Sequence, residues 1–143
     1  MPWTRVATVA IGGICAVGFA DYSQVAVGSH SGLGIFDART GKRLVRVHDE
    51  DYGWYRDEPP MILVRGPSGP TLVAAAGLWG GELPTATEDG WTCVRIPEGV
   101  ALTADGQADV TIRDFEEPLA FGFSPDGRVF VSASSPTLTI YAR

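Results

Sequence analysis

Cysteine and histidine are scarce, with two of each among 143 residues. Two cysteines do not make a disulfide framework in a chain of this length. We therefore interpret Cys15 and Cys93 as buried thiols in a reducing compartment, with a bond between them as the alternative. His30 and His48 do not combine with these cysteines into a zinc spacing. The sequence thus predicts no metal, no cofactor and a cytoplasmic location.

Basic residues are also few: 11 Lys and Arg stand against 17 Asp and Glu, a formal net charge of −6. Binding to phosphates depends mainly on Lys and Arg, so this balance argues against nucleic acid or an anionic membrane as the partner. A basic partner protein suits the charge better, because acidic surfaces steer basic ones towards them, although a modest acidic balance usually means only solubility.

No catalytic constellation is present in the sequence. Residues 28–32 resemble a nucleophile elbow, but His30 stands where the serine should be, which indicates a polar hairpin turn. Residues 40–42 lack the earlier glycine and the following helix of a phosphate-binding loop. Residues 105–109 lack the bidentate glutamate that a calcium loop needs. We therefore expect a protein that is not an enzyme.

Amphipathic helical periodicity is absent, whereas 18 glycines and 10 prolines predict many turns. The apolar run at the start of the chain resembles a signal peptide. Gly12 and Gly13 split that run, which favours two strands joined by a glycine turn. The fold should be all-β.

The chain contains an internal repeat. The stretch CAVGFADYSQVAVGS from Cys15 aligns with LAFGFSPDGRVFVSA from Leu119, and both alternate with the period of a half-buried strand. A weaker copy starts at Met61. We expect one domain of three units, at about 12–50, 60–116 and 117–143. The predicted strands cover 14–20, 24–30, 33–37, 43–48, 91–96 and 109–115.

The segments FSPDGRVFVSAS with LTIYAR, and VAVGSHSGLGIFDARTGKRLVRV, resemble a WD40-like β-propeller repeat. Phe36-Asp37 stands where such repeats often carry Trp-Asp, although no Gly-His pair precedes the innermost strands. The resemblance implies four-stranded antiparallel blades, of which a ring needs about 4–8. Three blades cannot close a ring alone. The last unit lacks its outermost strand, and residues 3–11 offer a spare one.

We therefore expect residues 3–11 to complete the final blade of a second copy, so that a homodimer forms a six-bladed ring. The alternative is a β-sandwich or partial barrel in one chain.

The segment HDEDYGWYRDEPP at 48–60 interleaves carboxylates with aromatic rings, as binding surfaces do. A second candidate is the segment at 77–82, where Trp79, with Glu82 nearby, is either an exposed anchor or a tryptophan buried between blades. The sequence predicts a non-catalytic protein-binding module, in a specific version an inhibitor or immunity-type protein acting on a basic partner. The alternative is a carbohydrate-binding lectin. The predicted partner-binding residues are Asp49, Glu50, Asp51, Tyr52, Trp54, Tyr55, Asp57, Glu58, Trp79 and Glu82.

Overall fold

The structure, a computed structural model, describes residues 3–114 and 116–143. These residues contain no helix, and hence none with the length and apolarity that a membrane crossing needs. The protein is all-β, as the sequence predicts. Its strands are β1 (Thr4–Ala10), β2 (Ile14–Asp21), β3 (Gln24–Ser29), β4 (Gly32–Asp37), β5 (Arg43–His48), β6 (Tyr55–Arg56), β7 (Met61–Gly66), β8 (Gly69–Gly77), β9 (Thr92–Ile96), β10 (Gly99–Thr103), β11 (Val110–Arg113), β12 (Ala120–Phe123), β13 (Val129–Ala133) and β14 (Thr137–Ala142).

The N-terminal apolar run forms two strands, β1 and β2, separated at Gly12 and Gly13. Gly13 has a φ of +67°, a left-handed conformation that favours glycine. The expectation of a glycine turn between two strands is confirmed.

The partner of β1 corrects one expectation. β1 pairs antiparallel with β14 of its own chain, from Thr4 opposite Ala142 to Ala10 opposite Thr137, and not with a second copy. The reason is that the sheets containing β2 and β14 pack against each other, so a short link suffices. Within that link the Ile11 amide donates to the Pro136 carbonyl at 2.9 Å.

The repeated stretches form equivalent meanders. β2 to β5 follow one another as a four-stranded antiparallel arm, and β12 to β14 with β1 make a four-stranded sheet of order β1-β14-β13-β12. The repeated valines Val25, Val27, Val129 and Val131 are all buried in one core between them. The period-two alternation in the two repeated stretches therefore identified residues that pack in the same hydrophobic core.

The middle unit differs from the four strands expected over 60–116. Strands β6 to β8 and β9 to β11 belong to separate sheets. β8 extends beyond β7 and pairs with β2, with Gly18 opposite Ala75. A Cβ on Gly18 would lie 2.5 Å from the Ala74 carbonyl oxygen, so this close approach requires glycine. The joined strands form a curled seven-stranded sheet of order β5-β4-β3-β2-β8-β7-β6. In the strand expected over 109–115, Phe115 lies outside the described residues.

Three apolar cores separate these layers. The first lies inside the curl, between β2–β4 and β6–β8, and contains Trp54 and Ile62. The second lies between the β2–β5 arm and the β1, β12–β14 sheet. The third lies between that sheet and β9–β11, where Trp3 packs with its ring centroid 5.5 Å from that of Phe123. The chain is thus a row of β layers, and the layer at one end is a curled half-barrel.

Arg143 contacts both Trp3 in the third core and the carboxylate of Asp89. Its guanidinium stands 4.8 Å from the centroid of the Trp3 ring and donates to both carboxylate oxygens of Asp89, at 2.6 and 2.8 Å. The Arg143 guanidinium, with the Thr87 hydroxyl after it, holds the pKa of Asp89 well below its usual range. A carboxylate with a lowered folded pKa stabilises the fold above its unfolded pKa of about 4 and stops doing so as the pH falls.

We therefore expect Asp89→Asn to lower the urea midpoint at pH 7, and the gap from the wild type to shrink as the pH falls below about 4. Unfolding curves at neutral and acid pH measure the gap. Asp105→Asn is the matched control, since Asp105 is exposed and outside this pair. A gap that stays constant across this pH range would show that the charge of Asp89 is not involved.

Candidate functional site

Two segments that the sequence singles out separately meet in the structure. The ring centroids of Tyr55 and Trp79 lie 4.6 Å apart, and those of Tyr52 and Trp79 lie 5.6 Å apart. Trp54 lies behind them, 6.3 Å from Trp79. We call Tyr52, Trp54, Tyr55 and Trp79 the aromatic platform. Each offset or edge-to-face aromatic pair of this kind contributes about 0.5–1.5 kcal/mol beyond the burial of its surface.

Trp54 is the floor of the platform and not a contact for a partner. Its side chain is 4% exposed and packs in the core inside the curl. A Cβ on Gly28 would lie 2.1 Å from the Trp54 ring, so the indole lies directly on the backbone of β3. The indole N–H has no hydrogen-bond acceptor among the described residues. The role predicted for Trp54 is therefore corrected: this side chain supports the others.

Trp79 is the accessible ring, with 41% of its surface exposed beside Leu78 at 55%. A tight turn holds it. The Gly77 amide donates to the Gly80 carbonyl at 3.0 Å, and the Leu78 amide donates to the Cys15 carbonyl at 2.8 Å. The positive φ values of Gly77, Gly80 and Gly81 permit this turn, and its hydrogen bonds hold the backbone of Trp79 at the end of β8.

Asp49 shapes the turn that presents Tyr52. Its carboxylate accepts hydrogen bonds from the Asp51 and Gly53 amides, both at 2.9 Å, on either side of Tyr52. Tyr52 has a φ of +57°, an unfavourable conformation that these bonds help to hold. Asp49 is thus a positioning residue, and its oxygens are occupied by the backbone.

The remaining predicted carboxylates differ in their surroundings. Asp57 accepts a hydrogen bond from the Tyr55 hydroxyl at 3.2 Å. Desolvation, and after it the Asp57 carboxylate, raises the pKa of Tyr55, so the phenol keeps its proton. The Arg56 guanidinium donates to the Gly53 and Tyr55 carbonyls, both at 2.8 Å, and not to a carboxylate. The exposed predicted carboxylates are Glu50, Asp51, Asp57, Glu58 and Glu82.

His30 is a member of the site that sequence reasoning missed. The predicted hairpin turn between β3 and β4 brings its Nδ1 within 2.6 Å of the Tyr52 hydroxyl. The same nitrogen lies 3.8 Å from the Cys15 sulfur. His30 lies in the turn between β3 and β4 and Tyr52 in the loop between β5 and β6, 22 residues further along the chain, so no local sequence signal could reveal this contact.

The cysteines are not poised for nucleophilic chemistry. Both are buried and unbonded, as expected from the sequence. Burial raises the pKa of the Cys15 thiol and raises that of Cys93 to about 11, so neither is a thiolate at neutral pH. Among residues 3–114 and 116–143, no group of three His, Cys, Asp or Glu side chains could hold a metal ion. The accessible chemistry of the site is aromatic contact and negative charge.

The chain matches no protein-family model, and no curated protein matches it. Functional inference therefore depends on the site itself. Its most distinctive feature is the exposed Trp79, which packs on the half-buried Tyr52 and Tyr55 and the buried Trp54 of a segment that is rich in carboxylates.

Proposed function

We propose that the protein is a non-catalytic binding module that takes a basic segment of a partner protein on the aromatic platform. The observation that carries the proposal is the Tyr55–Trp79 pair, 4.6 Å apart, with Trp79 41% exposed. A Lys or Arg side chain over an indole face gains about 0.5–1 kcal/mol at exposed sites and more when desolvated. Aromatic anchors of this kind are typical hot spots of protein interfaces.

Charge supports the same partner. Exposed carboxylates flank the platform in sequence, at Glu50, Asp51 and Glu58 on one segment and Glu82 on the other. Rim charges mainly increase the association rate and make it fall as salt rises. The chain carries a net charge of −6. Electrostatic steering and aromatic anchoring therefore favour the same chemistry, a cationic segment with apolar neighbours.

An inhibitor or immunity-type role is the specific form of this proposal. A small acidic protein with a preformed aromatic anchor can cover a basic active or binding site in a partner. The support is the combination of net negative charge with an anchor fixed by packing, since preorganised surfaces lose little entropy on binding.

The test uses an alternating lysine–valine peptide as long as β5, with fluorescence anisotropy as the readout. We expect Trp79→Ala to weaken its binding roughly tenfold or more, which is the size of a hot-spot loss. Tyr22→Ala is the matched control, because Tyr22 is 64% exposed in a different turn. Equal affinities for the wild type and Trp79→Ala would reject the platform as the binding surface.

Carbohydrate binding is the second candidate, because an exposed indole face also stacks on sugar rings. The two functions separate cleanly in experiment. A lectin would be thermally stabilised by a sugar with little dependence on salt, whereas a binder of basic segments would respond to the lysine peptide and lose affinity as salt rises.

The WD40-like propeller resemblance and the two-chain ring stay predictions. Support for the first comes from the two four-stranded meanders, β2–β5 and β12–β14 with β1. Support for the second is that end layers expose apolar side chains, Leu72 at 46% and Val94 at 53%. Light scattering on the purified chain tests the homodimer, and the mass of one chain would exclude it. A cytoplasmic location also stays a prediction, which fractionation of the producing cell tests.

A further inference from the structure

A second surface, on β5, has the opposite charge. β5 is the end strand of the curled sheet, and among the described residues it pairs only with β4. All six of its residues are exposed, including Leu44 at 46%, Val45 at 43% and Val47 at 48%. An unpaired strand edge presents a row of backbone donors and acceptors on which another strand can pair.

A β-bulge in β5 places its arginine side chains on one face of the sheet and its valine side chains on the other. Phe36 is opposite Arg43, Ile35 is opposite Val45, and one extra residue lies between those pairs. Arg43 and Arg46 therefore lie on the sheet face of Phe36 and Gly34. Val45 and Val47 lie on the other face, with Leu33 and Ile35. The free edge is thus basic on one side and apolar on the other.

Each side opens into a groove. On the basic side, a groove of about 220 Å³ is lined by Arg43 and Arg46 together with the hydroxyl-bearing Ser29 and Ser31, and none of its described lining residues is acidic. On the other side, a groove of about 180 Å³ is lined mainly by apolar side chains, including Val45, Val47 and Leu63, with Asp49 and Arg65 also in its lining. Guanidinium and hydroxyl groups are donors that suit a carboxylate.

The basic character is local, because the chain as a whole is acidic. Residues 39–46 contain four of the 11 Lys and Arg residues, namely Arg39, Lys42, Arg43 and Arg46. The Arg43 guanidinium stands 5.6 Å from the centroid of the Phe36 ring, a cation–π contact that leaves its N–H groups available. No carboxylate forms an ion pair with Arg43 or Arg46 within residues 3–114 and 116–143.

We propose that β5 binds an extended segment of a partner protein as an added strand, and that acidic and apolar side chains alternate along that segment. Successive side chains of a strand point to opposite faces. The acidic ones then meet Arg43 and Arg46, and the apolar ones meet Val45 and Val47. Backbone pairing supplies affinity and the two grooves supply specificity, as in other strand-addition complexes. This surface selects the opposite charge to the aromatic platform, and it adjoins the platform at the buried Trp54, which also lines the apolar groove.

A second copy of the chain fits this edge poorly. Pairing β5 with another β5 would place the arginines of both copies on adjacent strands, where their positive charges repel. Charged side chains on edge strands suppress such self-pairing. An acidic strand removes this repulsion. The charge on β5 therefore selects the partner as well as attracting it.

The test measures anisotropy of an alternating glutamate–valine peptide as long as β5. We expect Arg43→Gln with Arg46→Gln to weaken binding at least about tenfold, because charge-assisted hydrogen bonds are lost. Arg113→Gln is the matched control, since Arg113 is also exposed and lies on the edge strand β11. Hydrogen exchange should show slowed β5 amides in the complex. Trp79→Ala should leave this affinity unchanged.

Four outcomes would overturn the proposal: no binding of the glutamate–valine peptide, equal losses in the Arg113 control, binding without slowed exchange in β5, or self-association through β5. None of these outcomes bears on the lysine–valine peptide. Failure here is therefore distinguishable from failure of the aromatic platform.

Discussion

A chain that lacks residues 1–11 is expected to lose its cooperative folded state. The deletion removes β1, and with it Trp3, which is 7% exposed in the third core. It also removes Val6, Val9 and Ile11, which pack against the second core. Losing a buried tryptophan alone costs about 3–5 kcal/mol. That is a large share of the roughly 5–15 kcal/mol that stabilises a typical domain.

Circular dichroism and urea unfolding of the truncated chain measure this effect, and a peptide of residues 3–11 added in trans should restore folding. The point variants Trp3→Ala and Thr8→Ala refine the test, because Thr8 is an exposed residue of the same strand. Thr8→Ala should cost less than about 0.5 kcal/mol. An unchanged urea midpoint after the deletion would contradict the pairing of β1 with β14.

Trp54→Ala is expected to lower the free energy of unfolding by about 3–5 kcal/mol, through lost contacts and the cavity that remains. Trp54 is 4% exposed and lies between Gly28 and the other platform rings. The substitution also removes the floor beneath Trp79, so binding of the lysine–valine peptide should fail even where the chain stays folded.

Two variants control this experiment. Trp79→Ala removes an exposed ring, so its cost in unfolding free energy should stay below about 1 kcal/mol. Trp54→Phe keeps an apolar ring and removes a buried N–H that has no acceptor among the described residues, so it should cost less than Trp54→Ala. Equal costs for Trp54→Ala and Trp79→Ala would show that Trp54 is not the floor of the platform.

Most strands were predicted from the local alternation of apolar residues with other residues. Expected strands at 24–30 and 43–48 correspond to β3 at Gln24–Ser29 and β5 at Arg43–His48. Residue patterns with period two, broken by turn residues, suffice to locate such strands. The pairing of strands is different, because it is a long-range property. Neither the extension of β8 onto β2 nor the closure of the last sheet by β1 of the same chain has a local signature.

The sequence predicted which segments form the candidate site, but not the role of each side chain within it. Sequence reasoning selected both segments that meet at the platform, the segment at 48–60 because carboxylates and aromatic rings interleave there and the segment at 77–82 because of Trp79. It could not separate Trp54, which is buried, from Trp79, which is exposed, since both are tryptophans in glycine-containing loops. It also treated Asp49 as a steering charge, whereas its oxygens bind backbone amides two and four residues ahead. Burial and hydrogen bonding of a side chain become visible only in three dimensions.

The most direct test of the binding account follows the indole N–H signals of the four tryptophans by nuclear magnetic resonance while the lysine–valine peptide is added. Trp79 is exposed on the platform, whereas Trp3 and Trp91 pack against each other in the third core. We predict that the Trp79 signal moves with the peptide concentration and that those of Trp3 and Trp91 stay in place. A Trp79 signal that stays unchanged at saturating peptide would contradict the proposed function.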